Sequence, residues 1–457
     1  MELKRYPPLD KAFQPLEVLL RDYERRAAAD KGCRRLVVNL ERNQGYCDWF
    51  ELSLLPEGTE EALTLGLSER MVKTFLWSRG GYRITVAGAR DVYDHIRDAY
   101  RAGGAREFDA DFMSNVYERP FEVKFTDDAD AIAVTRGNPS DVGRHLDGCR
   151  IGFDAGGSDR KVSAVIDGEA VYSEEVVWHP KLSADPQYQF DGILDSFRTA
   201  AAHMPRVDAI GVSSAGVYVN NRIMNASLFL KVSKEDFDRR VKTMYLDAAR
   251  EIGKDIPIQV ENDGDVTALA GAMDLDAGNV LGIAMGTSEA GGYVDQDMRI
   301  LGWLNELAFA PVDYSPDAMR DEWSGDIGCG VKYFSQDAVI KLAPAAGIEL
   351  DESLSPAEKL KVVQGLMLEG HEGARAIYES IGVYFGYSLA YYARFYRIDH
   401  VLIMGRVTSG EGGVILLKAA REVLDEEFPE LKMELHIPDE NSRRVGQSVA
   451  AASLPRI

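Results

Sequence analysis

The sequence has no run of about 18 apolar residues, the least that crosses a bilayer as a helix. Its opening stretch, Met1-Glu2-Leu3-Lys4-Arg5-Tyr6-Pro7-Pro8, holds no apolar core of the kind an export signal needs. The first absence leaves no membrane-spanning helix to expect, and the second points to a cytoplasmic location. Cysteine is scarce: Cys33, Cys47, Cys149 and Cys329 lie far apart, with no C-x-x-C pair. That spacing fits reduced thiols rather than a disulfide scaffold, and offers no obvious structural zinc site. Positive charge is also short, with 52 Lys and Arg against 74 Asp and Glu and a formal net charge of −22. A general nucleic-acid or anionic-membrane binder needs a basic patch, so neither partner is expected. An anionic nucleotide is still admissible, because backbone dipoles act at close range whatever the distant surface charge.

What is present suits a globular protein of several domains. The length of 457 residues exceeds one ordinary core, and the hydrophobic share of 46% is unremarkable for soluble chains. Residues 35–55 read as a hairpin around the turn Asn43-Gln44-Gly45. Helices are expected at 68–78 and 89–102, and strands at 82–86 and 122–125. Asp127-Asp128-Ala129-Asp130 and Gly137-Asn138-Pro139-Ser140-Asp141 suggest a loop-rich boundary, which sets off an N-terminal α+β domain at 1–145 of unassigned role. From Ile151 strands alternate with helices, as in an α/β fold. The division expected there is one half-domain over 150–275 and a second over 276–457. A capping box, Ser355-Pro356-Ala357-Glu358, marks a helix start. A long helix at 372–395 and a small-residue helix at 444–454 complete the pattern.

The only internal repeat is a pair of glycine hairpins, Asp154-Ala155-Gly156-Gly157-Ser158 and Gly286-Thr287-Ser288-Glu289-Ala290-Gly291-Gly292. Each follows a short apolar strand and leads into another extended run. Such a turn exposes consecutive backbone N–H groups, and glycine lets a polyphosphate approach them. One Gly-Gly pair usually marks only a hairpin. Two of them, with a carboxylate-rich strand end between, suggest two half-domains closing on one nucleotide.

Several side chains then acquire candidate roles. Asp154 ends its strand at a glycine turn, where a carboxylate can hold Mg²⁺ beside phosphates, or can simply cap the hairpin. Ser158 can add a hydroxyl. Glu261-Asn262-Asp263-Gly264-Asp265 joins a strand to a helix. It reads either as a plain connection with Asp265 as N-cap, or as a site whose Asp263, ionised at a helix N-terminus, serves as a base. Asn262, both donor and acceptor, suits sugar hydroxyls. Gly405-Arg406-Val407-Thr408-Ser409-Gly410 follows a buried strand and could pack on an adenine or be an ordinary turn.

In this order the motifs resemble the actin-like ATPase and sugar kinase fold, two RNase H-like half-domains around a nucleotide cleft. Within that fold the chain most resembles the ROK (repressor, open reading frame, kinase) family from Ile151 to its C-terminus. The resemblance implies ATP and Mg²⁺ as cofactors, with Asp154, Gly156, Gly157 and Ser158 in the first phosphate motif. Gly286 and Thr287 match the second phosphate motif, and Gly405 and Gly410 the adenosine loop. It further implies Asp263 as general base, and Ser214, Gly216, Asn225, Asn262 and Glu306 as sugar contacts. Two departures stand out. The sugar-binding Gly-His of the family is here Ala308-Phe309, and its zinc run survives only as Gly328-Cys329, with Glu322 and Ser324 in place of cysteines. Zinc is therefore not expected, and Trp303, Phe309 and Trp323 are expected to hold the loop by packing. Glu289 brings an acid to the second turn; pointing inward, it would repel phosphate unless it helped to hold the metal.

These readings converge on an ATP-dependent sugar kinase, expected to form a homodimer as many relatives do. Two rivals stand beside it: a sugar sensor or pseudokinase without turnover, and a kinase or ATPase of the same fold acting on a non-sugar substrate. Sensors that regulate transcription carry an N-terminal helix-turn-helix, whereas residues 1–145 read as mixed α+β.

Overall fold

The computed structural model describes residues 2–137, 142–438 and 440–457. The expected boundary loop at Gly137–Asp141 thus lies, apart from Gly137, outside the described residues. The N-terminal strands are β1 (Arg34–Glu41), β2 (Cys47–Leu54), β3 (Arg83–Ala87) and β4 (Glu122–Thr126), in the order β2-β1-β3-β4. The hairpin turn closes with Gln44 at φ 59°, a left-handed conformation that glycine would adopt more readily. Helices Leu16–Ala29, Glu61–Arg79, Arg90–Tyr100 and Glu107–Tyr117 flank this sheet. The first and last were not anticipated from the sequence.

Two further sheets repeat one plan. The first contains β5 (Cys149–Ala155), β6 (Asp159–Ile166), β7 (Glu169–Val177), β8 (Ala209–Ser214) and β11 (Ile258–Asn262), ordered β11-β8-β5-β6-β7. A small hairpin, β9 (Val217–Val219) and β10 (Arg222–Asn225), stands apart from it. The second contains β12 (Val280–Met285), β13 (Glu289–Val294), β14 (His400–Met404) and β15 (Glu434–His436), ordered β13-β12-β14-β15. In each, an antiparallel hairpin is followed by parallel neighbours: β5 with β6 then β8, and β12 with β13 then β14. Helix Asp263–Leu275 starts at the end of β11 but packs on β12 and β13. Helix Glu440–Ala452 returns from the second half to lie on β5 and β8. These two crossings tie the halves together.

The N-terminal region shares its core with the second half. One hydrophobic cluster runs from Leu16, Val38 and Trp77 through Leu281 and Ile283 to Tyr384, Tyr391 and Val423. Helix Glu372–Tyr392, buried almost all round from Ser380 onward, forms the axis of that cluster. The first half has its own core around Phe153, Ile210 and Tyr245. No helix among the described residues is long and apolar enough to cross a membrane.

Candidate active site

β5 ends at Asp154-Ala155, and the loop Gly156–Ser158 returns the chain into β6. The Gly156 N–H donates to the Asp159 carbonyl at 3.0 Å, so this amide serves the hairpin itself. Asp154 is 6% exposed and accepts from Ser213 Oγ at 2.8 Å and Gln447 Nε2 at 3.3 Å. Lys161 Nζ stands 3.7 Å from its other oxygen. Burial pushes the Asp154 carboxyl above its usual range despite the opposing pull of Lys161. A Cβ on Gly157 would lie 3.1 Å from Lys181 Nζ, which places a second cation at the turn. Ser158 is exposed and donates to Asp159 at 3.0 Å.

The β11–helix junction differs from expectation in its cap. Asn262, not Asp265, is the N-cap: its Oδ1 accepts from Gly264 N at 2.7 Å and its Nδ2 donates to Gly216 O at 2.7 Å. Asp265 is instead buried, accepting from Tyr293 N and Asn305 Nδ2. Asp263, the first helical residue, accepts from Gly264 N at 3.1 Å. Burial, then the nearby Asp154, raise its carboxyl to about 6. Desolvation therefore outweighs the helix N-terminus, which alone would favour a permanently ionised group. Burial also raises Glu261 to about 7, and burial with Asp263 raises Glu306 to about 7.

The second hairpin turns at Gly286-Thr287-Ser288, with Gly286 N bonded to Ser288 O and both Thr287 and Ser288 exposed. Glu289 is 3% exposed, and its carboxyl packs against Gly330, where a Cβ would lie 2.3 Å from Oε2. Neither oxygen has a hydrogen-bond partner, and burial, then Glu306, push the carboxyl well above its usual range. The side chain is buried, whereas Thr287 and Ser288 of the turn are exposed. Gly405, at φ 104°, lies against the Met285 backbone, so the 405–410 loop touches the base of the 286–288 turn. Gly410, at φ 70°, is the N-cap of helix Glu411–Glu427. A Cβ on Gly292 would lie 2.1 Å from Gly264 O; only glycine lets the first turn of helix Asp263–Leu275 touch β13.

Asp154, the 156–158 turn and Asp263 thus lie at strand ends of the first sheet, the 286–288 turn and Gly405 at strand ends of the second, and Asp263 lines a small cavity with Ala284, Ala290 and Met404. Beside them lies a cavity of about 380 Å³ bounded by Gly216, Glu261 and Asn262 and, from the N-terminal region, Arg42, Gln44 and Tyr46. Sequence reading missed these N-terminal residues, which it took only as a hairpin turn. Gln44 Nε2 donates to Asn220 Oδ1 at 3.1 Å across the cavity mouth. Arg42 is 2% exposed, 3.3 Å from Asp48. Ser214 is buried and hydrogen-bonded by Tyr245 OH at 2.9 Å. Asn225 is not brought to the cavity: it is exposed on β10 and lines a separate groove with Glu118 and Lys242. Its strand lies outside the sheet, and only its backbone carbonyl approaches Gly216.

The loop that follows is held differently from expectation. Trp323 is 73% exposed and holds nothing in place. Phe309 does pack on Trp77, with ring centroids 4.3 Å apart, and Trp303 stacks on Tyr293 under Arg79. The principal tie is ionic. Asp326 meets Arg70 at 2.5 Å, Lys73 at 2.8 Å and Arg106 at 2.8 Å, all from the N-terminal region. Burial opposes ionisation of Asp326, yet these three cations hold its carboxyl far below the usual range. Cys329 Sγ lies 3.9 Å from Asp326, with its thiol pushed up to about 12 by burial. One protonated thiol beside three cations is a poor donor set for a dication.

No family model matches the sequence, and no curated protein matches it. Solved structures do. ROK hexokinase from Thermus thermophilus aligns at 18% identity with a TM-score of 0.52, covering 66% of this chain and 96% of the hexokinase. A ROK family transcriptional regulator, a homologue of the E. coli MLC protein, aligns at 18% identity and TM-score 0.52, covering 68% and 79%. A putative sugar kinase from Cytophaga hutchinsonii aligns at 14% identity and TM-score 0.50, covering 66% and 98%. The duplicated sheets match the actin-like ATPase fold, and this chain has the fold that ROK kinases and a ROK regulator share.

Proposed function

We propose that this chain is an ATP-dependent sugar kinase with Asp263 as its general base. The supporting observation is that Asp263 feels the charge of the buried Asp154 and directly follows Glu261 and Asn262, which line the cavity. A base titrating near 6 is ionised at neutral pH yet takes up a proton readily. Asn262 and Glu261 reach the cavity that would hold the sugar, and Glu306 is electrostatically coupled to Asp263. The two glycine turns would cradle the polyphosphate, with Gly405 and Gly410 beside the adenosine.

Mg²⁺ fits Asp154. The carboxyl is buried, with its closest cation 3.7 Å away; burial disfavours its charge, and a dication would restore the ionised form. Magnesium usually takes one or two carboxylates plus substrate phosphates, so no complete protein cage is required. When bound, it would neutralise charge on the transferring phosphoryl group. Lys161 and Lys181 would add to that field. Asp263 would orient the attacking hydroxyl and receive its proton, and closure of the cleft would exclude water as a competing acceptor.

The reading is tested by magnesium-dependent ADP release over a panel of neutral hexoses, amino sugars and non-sugar alcohols. Turnover with a sugar supports it, and hydrolysis without any acceptor preference would count against it. A second reading, binding without turnover, draws on the regulator that shares the fold and on the crowding of Glu261, Asp263 and Glu306. Saturable sugar binding with no ADP release at any pH favours that alternative. A cytoplasmic location and a homodimer also belong to the kinase reading, checked by fractionation and light scattering.

A further inference from the structure

At the far end of β14 from the cleft, three ligand-bearing side chains share one sheet face. β14 and β15 are parallel, with His400 opposite Glu434 and Leu402 opposite His436. Side chains alternate along strands, so this register puts His400, Glu434 and His436 on the same side. His400 Nδ1 and His436 Nε2 are 3.2 Å apart. Glu434 Oε2 lies 3.8 Å from the first nitrogen and 3.7 Å from the second. Two nitrogens each ~2.0–2.1 Å from a tetrahedral ion stand about 3.3 Å apart, so the imidazole pair already has the required bite.

A lone N–H···N bond between neutral imidazoles would account for the 3.2 Å spacing. It would not account for a carboxylate oxygen placed almost evenly between the two rings. Among the described residues, this is the one group of three His, Cys, Asp or Glu whose ligand atoms all lie within 4.8 Å of one another. The His400 and His436 side chains are 21% and 27% exposed, which gives water access to a fourth position.

We propose that His400, Glu434 and His436 bind one zinc-class divalent cation, with water completing the shell. Two imidazoles and one carboxylate suit Zn²⁺, Co²⁺ or Ni²⁺ rather than Mg²⁺, which prefers oxygen ligands. The site is structural. β15 has only three residues, and the chain beyond it leads into helix Glu440–Ala452, whose Gln447 touches Asp154. A metal across β14 and β15 pins this edge strand and steadies the helix that supports the cleft. It is independent of the zinc run compared above and of the kinase reading.

Calorimetric titration of Zn²⁺ into the full chain, freed of metal by chelator, tests the proposal. The expected result is one Zn²⁺ per chain, with a Tm raised by several degrees and returned by EDTA. His400→Ala and His436→Gln should each weaken binding at least tenfold, and Glu434→Gln less. Absence of stoichiometric uptake, or uptake unchanged in both histidine variants, overturns it. Should a variant fold poorly, the wild-type chain supplies a second readout through carbethoxylation by diethyl pyrocarbonate. Zn²⁺ should protect His400 and His436 in peptide mass spectra, and equal labelling with and without Zn²⁺ also overturns the proposal.

Discussion

Asp263 carries a carboxyl whose charge is disfavoured by its burial, then by the nearby Asp154, and favoured by the helix terminus that it begins. Replacing it with Asn keeps the shape and the bond from Gly264 but removes the proton acceptor. Asp263→Asn should lower kcat by about 10²–10⁴ while leaving the Kd for ATP within a factor of a few. Steady-state kinetics beside nucleotide titration would separate these quantities. Because Asp263 titrates at about 6, kcat/KM should fall roughly tenfold per pH unit below that value. A flat profile from pH 5 to 8 would remove Asp263 from the role.

The same carboxyls bear on stability. Asp263, Glu261 and Glu306 are raised in the folded chain, so it binds more protons than the unfolded chain between their ordinary values and about 7. Stability must therefore decline as pH rises across that window. Melting curves from pH 5 to 8 should show Tm falling, and Glu261→Gln should flatten the decline. Residue identity alone made Asp154, Asp263 and the glycine turns legible, because their spacing in the chain is itself the signal. The cap at Asn262, the inward Glu289 and the outward Asn225 were not legible. Each depends on which face a neighbour from elsewhere in the chain covers.

Among elements, the β1–β2 turn has the most direct bearing on ligand choice. Its Gln44 side chain closes the cavity mouth while its backbone occupies a left-handed conformation. Gln44→Gly should therefore fold well, since glycine suits that φ. It should raise the KM for the sugar severalfold with kcat little changed, the pattern of lost uniform binding. An unchanged KM would mean that the turn does not contact substrate. The hairpin was readable from Asn43-Gln44-Gly45 between alternating strands, but its position over the cavity was not. Helix Leu16–Ala29 could have been read from Leu16, Leu20, Tyr23 and Ala27, which recur at helical spacing and are all buried. β7 could not, because its polar alternation matches a solvated edge as well as a loop.

At the scale of the whole molecule, residues 2–137 are bound to the second half by a common core and by the Asp326 cluster. Asp326→Asn leaves Arg70, Lys73 and Arg106 without their shared counter-charge. It should cost about 3–5 kcal/mol, measurable by denaturant titration. Removing residues 1–145 should leave an aggregating remainder rather than a smaller active enzyme, because it bares one side of helix Glu372–Tyr392. A monodisperse, cooperatively melting truncation would contradict the continuity of that core. The pairing of N-terminal and C-terminal apolar faces is a long-range fact. Periodicity shows that each face is apolar without saying which one meets which.

The shared core also bears on the cleft closure that the kinase reading proposes. Any parting of the two halves would carry the N-terminal region with the second, separating Gln44 from Asn220, and Glu118 from Arg222 and Lys242. Those last links are exposed ion pairs, weak individually and screened by salt. Ionic strength should thus act as a throttle on how long a captured molecule stays, quickening its escape without altering the chemistry done to it.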